Sequence, residues 1–189
     1  IGIESGLDDV LKFMKKDHDL AQAYQAIDRL HEAGLIYDAH IKTGVAGKGR
    51  GMENAEALAQ FLNRTNPAHV VNFSMFLHKE VPLYQDIRQG TFVPADELET
   101  IREEYHLIER IAPEKAGANI LYDGFHDFIH VRVRGHLPGD KEKMLAKLNG
   151  IIQEYEGKEP VYSFVQGECP DLEYCDDGKA VWDMDRKTS

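Results

Sequence analysis

Ile36-Tyr37-Asp38-Ala39-His40-Ile41-Lys42-Thr43, followed by Gly44-Val45-Ala46-Gly47-Lys48-Gly49-Arg50-Gly51, reads as a strand running into a glycine-rich turn. Asn54 to Asn63 then places Leu58, Phe61 and Leu62 on one helical face, with Pro67 just beyond. The next segment, His69-Val70-Val71-Asn72-Phe73-Ser74-Met75-Phe76-Leu77, is mostly apolar, as expected of a strand covered on both faces. Strand, glycine turn, helix, strand is the unit of a parallel α/β fold.

The same unit recurs on either side. Upstream, Ile1-Gly2-Ile3-Glu4 is a short strand, and Ser5 followed three residues later by Asp8 resembles a capping box. Val10, Leu11 and Met14 mark one helical face, and Leu20, Tyr24, Ile27 and Leu30 mark a second helix that stops at Gly34. Downstream, Pro82 to Thr91 reads as a loop. Pro94 opens a long helix carrying Leu98, Ile101, Tyr105, Ile108 and Ile111. Ile129, Val131 and Val133 alternate with His130, Arg132 and Arg134, a strand pattern, and Pro138-Gly139-Asp140 starts a last helix with Met144, Leu145, Leu148, Ile151, Ile152 and Tyr155. A complete eight-fold barrel needs about 250 residues. The chain has 189, so the expected fold is α/β, a partial (β/α) TIM-type barrel of about three parallel strand–helix units plus a C-terminal strand/helix extension. The expected divisions are 1–112 for the barrel part, 113–155 for the extension and 156–189 for an acidic, partly mobile tail.

Composition narrows the classes of function. Apolar residues make up 42% and charged residues 29%, and 22 Lys and Arg against 33 Asp and Glu give a net charge of −11. That balance argues against nucleic acid or an anionic membrane as a main partner. No apolar run approaches the roughly 20 residues of a spanning helix, and two cysteines make no disulfide scaffold. A cytoplasmic protein is expected. The chain begins on Ile1 with a strand already under way, and reads as a piece cut from a longer protein.

In parallel α/β folds ligands sit beyond the carboxyl ends of the strands. Glu4 and Ser5, Thr43 and Gly44, and Phe76 to His78 are therefore candidates for one mouth. The Gly44–Gly51 turn carries four glycines and two cations, and its amides could cradle an anion or simply form a flexible connection. It fits neither the phosphate-loop pattern nor the dinucleotide fingerprint. Asp123, His126, Asp127 and His130 invite a metal reading, yet four residues of strand span about 13 Å, too far for one ion. His130, Arg132 and Arg134 form a basic strip suited to an acidic substrate or partner surface. Cys169 and Cys175 lie in an acidic tail at a spacing unlike a cluster loop.

Ile1-Gly2-Ile3-Glu4-Ser5-Gly6, then Asp8 to Met14, then Ala21 to Gly34 resemble the fourth strand–helix unit of radical S-adenosylmethionine enzymes. Ile41 to Gly47 is similar to that superfamily's fifth strand and glycine turn. Asn54 to Pro67, Val70 to Leu77 and Pro82-Leu83-Tyr84 resemble its fifth helix, sixth strand and the element after it. The resemblance implies a parent enzyme that binds a [4Fe–4S] cluster through an upstream Cys-x-x-x-Cys-x-x-Cys loop. That cluster would cleave S-adenosylmethionine reductively to a 5′-deoxyadenosyl radical. By resemblance, Glu4 and Ser5 match positions contacting the cofactor's ribose or methionyl part, and Gly44 and Val45 match the turn near its adenine. Lys42 departs from the apolar residue usual there. No protein metal ligand is expected within the chain, no cofactor is expected on it alone, and a bare sheet face carrying Ile3, Ile41, Phe73 and Met75 would invite self-association. An auxiliary cluster at Cys169 and Cys175 would need the rest of the parent. The runner-up reading is a non-enzymatic interaction or anion-binding domain using the Gly44–Gly51 turn.

Overall fold

A computed structural model describes residues 1–164, together with the short strands Cys175–Asp176 and Lys179–Ala180. Its main sheet has five strands in the order β1 (Gly2–Glu4), β2 (Asp38–Thr43), β3 (His69–Ser74), β4 (Ile120–His126) and β5 (Val131–Leu137). The first four are mutually parallel, and β5 returns antiparallel to β4. Helices α1 (Asp8–Phe13) and α2 (Leu20–Glu32) follow β1, and α3 (Gly51–Thr65) follows β2. α4 (Leu83–Gln89) and α5 (Glu97–Arg110) follow β3, and α6 (Lys141–Tyr155) follows β5. This is the expected α/β partial barrel, with a fourth parallel strand in its extension.

Alternation along the strands gives the sheet two different faces. Ile3, Ala39, Ile41, Val70, Tyr122 and Val133 point to the helices and form one core with Leu58, Phe61, Leu62, Ile101, Leu107, Ile108, Met144 and Leu148. Glu4, Lys42, Phe73, Phe125, Arg132 and Arg134 occupy the opposite, open face. The sequence expectation that Ile3, Ile41, Phe73 and Met75 lie bare is corrected by this register. Ile3 and Ile41 are buried under the helices, Met75 is half-buried, and of the four only Phe73 is exposed, at 40%. The open face is mostly polar, with Phe73 and Phe125 as its aromatic part. β3 is likewise shorter than its apolar run suggests and is covered on one face only.

Three local readings change. Ser5 is no helix cap: its hydroxyl donates to Asn54 Oδ1 at 2.6 Å and accepts from the Leu7 amide, while α1 begins at Asp8 with no side-chain cap. The capping box belongs to α2, where Asp19 accepts from Gln22 N at 2.8 Å and Gln22 accepts from Asp19 N at 3.0 Å. Pro82 to Thr91 is not a loop but holds α4, with Pro82 at its start, Gly90 at φ 71° behind it, and Tyr84 and Ile87 turned inward one turn apart. α5 starts at Glu97 behind an Asp96 cap, three residues after Pro94.

Beyond α6 the chain returns to the strand ends. Val161 O accepts from Glu97 N at 2.8 Å, Ser163 O accepts from Leu77 N at 2.7 Å, and Phe164 packs on a small cluster of Leu77, Ile87 and Phe92. Residues 161–164, the start of the tail that the sequence suggested to be partly mobile, are thus docked. Cys169 lies outside the described residues.

Gly6 shows how tightly β1 is seated. A Cβ there would stand 2.5 Å from the backbone carbon of Ala57 and from Leu58 N on α3. Gly6→Ala is expected to destabilise the chain by about 1–3 kcal/mol, read as a lowered urea midpoint with unchanged slope. A wild-type midpoint would mean that β1 does not sit against α3 as described.

Candidate functional site

The carboxyl ends of the four parallel strands are joined from beneath by one helix. α5 buries three glutamates within eight residues, Glu97, Glu103 and Glu104, each at most 1% exposed. Glu103 Oε2 accepts from Gly44 N at 2.8 Å and its Oε1 from Asn54 Nδ2 at 2.7 Å, and Asn54 in turn holds Ser5. Glu104 Oε1 accepts from Tyr122 OH at 2.9 Å and Asn72 Nδ2 at 3.1 Å, and its Oε2 lies 2.9 Å from His126 Nε2. Glu97 accepts from Ser74 Oγ at 2.8 Å and from the Ser163 hydroxyl, and its second oxygen faces His126 Nδ1 at 3.4 Å. One helix face therefore reaches the ends of β1 through β4.

Charge within this layer is balanced by His126. Burial alone would neutralise the imidazole, but Glu104 and Glu97 on its two sides outweigh it and push its pKa up to about 10. Burial pushes the Glu97 carboxyl up, and the imidazolium with the two serines brings it below its ordinary value. Glu103 has no cation in direct contact among the described residues, and His126 acts on it only weakly. Burial carries it up to about 7 against the donors Asn54 and Gly44 N. The Tyr122 hydroxyl is pushed well up by burial and by Glu104, so it stays a donor.

Of the four residues proposed from sequence, Ser5 and Gly44 meet within this buried layer, linked through Asn54 and Glu103. Glu4 does not join them. It ends β1 on the open face at φ 64°, a conformation uncommon for a residue with a side chain, and the β1–β2 register shifts there. Lys16 Nζ lies 2.9 Å from Glu4 Oε1 and Lys42 Nζ 3.5 Å from Oε2. Partial burial raises the Glu4 carboxyl, and the Lys16 hydrogen bond and Lys42 charge outweigh this and hold it below its ordinary value. Val45 is buried beside Val10 and borders a separate cavity of about 360 Å³ with Phe13, Gly47 and Phe92.

Five of the eight amides of the glycine turn are already hydrogen-bonded within the chain. Gly44 N goes to Glu103, Gly47 N to Gly44 O, Lys48 N to Val93 O, Arg50 N to Gly47 O, and Gly49 N to Glu99. Arg50 is held by Asp9 and Glu53. Two of five donors are thus already committed to carboxylates of the same chain.

On the open face the row at the strand ends is Glu4, Lys42, Phe73, Phe125 and Arg132. The Phe73 and Phe125 rings stack at 5.3 Å, and the Arg132 guanidinium lies 4.7 Å over Phe125 while binding both oxygens of Asp123. His126 and His130 are separated by the β4–β5 turn, where His130 has φ 55°. Among the described residues no group of three His, Cys, Asp or Glu is placed to hold a metal ion.

The sequence is matched by no family model and by no curated protein. Its fold is similar to that of the archaeal Methanocaldococcus infernus Elp3 with N-terminus deletion (1–46). The TM-score is 0.55 at 17% identity, over 82% of this chain and 35% of that chain. At that identity the likeness shows the fold alone, and this chain spans about a third of that structure. None of the described helices is long and apolar enough to cross a membrane.

Replacing His126 by Gln removes the one cation between two buried carboxylates. The expected cost is about 3–5 kcal/mol at pH 7. The sign with pH follows from the raised pKa: the cation's contribution is complete below its ordinary value of 6.5 and is lost as pH rises through about 10. Urea unfolding from pH 7.5 to 10.5 should therefore show the wild type losing its advantage over His126→Gln. A constant difference across that range would mean that His126 is neutral in the folded protein.

Proposed function

We propose that this chain is the C-terminal part of the catalytic barrel of a radical S-adenosylmethionine enzyme. Three things support the reading: the family resemblance of the strand–helix units, the parallel partial barrel, and the likeness to an Elp3, a member of that family. The observation that carries it is Glu4, a strained, ionised carboxylate at the carboxyl end of β1 on the face free of helices. Such a group can accept hydrogen bonds from ribose hydroxyls or the cofactor's ammonium.

The donor set fits one half of the implied chemistry. Residues 1–164 contain no cysteine, so cluster ligands would come from another part of the parent. Bound to its cluster, S-adenosylmethionine would supply a 5′-deoxyadenosyl radical on one-electron reduction. This chain's part would be to bind and orient the cofactor through Glu4, with Lys16 and Lys42 keeping the carboxylate charged. Ser5 and Gly44 would act indirectly, by fixing the β1 and β2 ends to α5. Val45 would contribute apolar surface to the adenine side. The reaction would take place in the cytoplasm. The runner-up, anion binding by the Gly44–Gly51 turn, is less well supported because five of the turn's eight amides already have internal partners.

The test is calorimetric titration of S-adenosylmethionine into the full-length, cluster-loaded parent. Losing one charge-assisted hydrogen bond costs about 1.5–3 kcal/mol, so Glu4→Ala is expected to weaken binding by roughly ten- to hundred-fold without unfolding the protein. Unchanged affinity would assign Glu4 to the surface, and a parent without the upstream cysteine loop would remove the reading altogether.

A further inference from the structure

β5 is the edge strand of the sheet, and its outer edge is unusual in both backbone and charge. In an antiparallel pair, alternate residues turn their N–H and C=O toward the neighbour or away from it. Arg132 O accepts from Lys147 Nζ at 2.6 Å, and both backbone groups of His136 bond to Asp140, N to Oδ2 and O to N, each at 2.7 Å. Residues 132, 134 and 136 therefore face outward. Between those two capped positions Arg134 presents N–H and C=O, and Arg132 its N–H, with no partner among the described residues.

The same stretch borders a cavity of about 410 Å³ lined by Arg132, Val133, Arg134, Lys143, Met144 and Lys147. Four of the six are cations and none is an acid, in a chain of net charge −11. Arg132 and Arg134, 53% and 55% exposed, share the single carboxylate of Asp123, and Arg134 reaches it only at 3.7 Å. Lys143 and Lys147 stand four residues apart on α6, a spacing at which like charges repel. They approach the edge from the helix side, and the two arginines from the open face. A strand edge rimmed by cations on both faces, with backbone donors and an acceptor between them, thus has, among the described residues, one carboxylate, Asp123, set against its four cations.

We infer that the β5 edge is a docking site for an acidic, extended peptide segment of a partner, added as a sixth strand. The alternation of a strand sets its sequence. Side chains opposite Arg132 and Arg134 fall beside the guanidinium groups, and the side chains between them fall beside Lys143 and Lys147. The segment recognised is therefore a run of consecutive acidic residues and not an alternating one. A polynucleotide is disfavoured, because four cations neutralise few phosphates while the chain's overall negative charge repels the rest. Edge cations also deter unwanted pairing between sheets, which makes backbone pairing the property to test.

The test uses the 189-residue chain and a fluorescein-labelled eight-residue peptide with a central Glu-Asp-Glu-Asp run, followed by anisotropy at about 150 mM salt. Three controls go with it: the same peptide N-methylated at its two middle residues, its Lys-Lys-Lys-Lys counterpart, and a ten-nucleotide oligouridylate. The acidic peptide is expected to bind at least tenfold more tightly than each of them. Arg134→Glu combined with Lys143→Glu should weaken it at least tenfold, and Lys143→Gln alone, at an exposed position, should weaken it measurably with an unchanged unfolding midpoint. Equal binding of the methylated peptide would reduce the site to bulk charge and overturn strand addition. Tighter binding of the oligonucleotide, no binding of the acidic peptide, or indifference to both variants would overturn the proposal as well.

Discussion

Three carboxylates on one face of α5 fix the strand ends on which the rest of the molecule depends. A buried carboxylate is costly unless it is hydrogen-bonded and paired. Glu97 and Glu104 meet that requirement with hydroxyls, an amide and one shared imidazolium, and Glu103 with a backbone amide and Asn54. The helix thus supplies acceptors to the ends of neighbouring strands, where the parallel ladder runs out and loops begin. Ser5, Thr43, Asn72, Ser74 and His126 are buried for the same reason: they line the polar layer at this end of the core.

Several glycines follow from that layer. A Cβ on Gly124 would land on Glu104 Oε1, one on Gly51 would stand 3.0 Å from Glu103 Oε2, and one on Gly44, already at φ 81°, would stand 2.7 Å from Thr100 Cγ2. The backbone comes this close because α5 must reach it with short carboxylate arms. The division of labour across the sheet follows too. Acids on α5, facing the sheet, order the strand ends, and Glu4, Lys42, Phe73 and Arg132 stand on the other face at positions fixed from beneath.

Much of the architecture was legible in the residues. The apolar periods of α2, α3, α5 and α6 and the alternation of Val131 to Leu137 located the elements, and the strand–helix order implied a parallel sheet. The site was legible only in outline. Glu4 and Gly44 stand at strand ends, which position alone suggested, but the partners of Gly44 could not be read locally because Glu103 lies 59 residues further on. The α5 layer was missed although it left a signal: Glu97 and Glu104 fall at helical spacing with Ile101, Ile108 and Ile111. The apolar stripe read from Leu98 and Tyr105 took two half-buried residues for the core and passed over the two fully buried glutamates beside them. A carboxylate at a core position reads as surface until its donors, Tyr122, Asn72 and His126 on other elements, are brought to it by the fold. Ile3 and Ile41 failed in the opposite direction, because which face of a strand meets the helices is fixed by register and not by composition.

A buried imidazolium between Glu97 and Glu104 holds this layer together. Nitrogen NMR of the His126 ring as a function of pH reads that charge. The account predicts two protonated ring nitrogens at pH 8 and a titration near pH 10. A single neutral tautomer at pH 8, titrating at or below the ordinary histidine value, would contradict it.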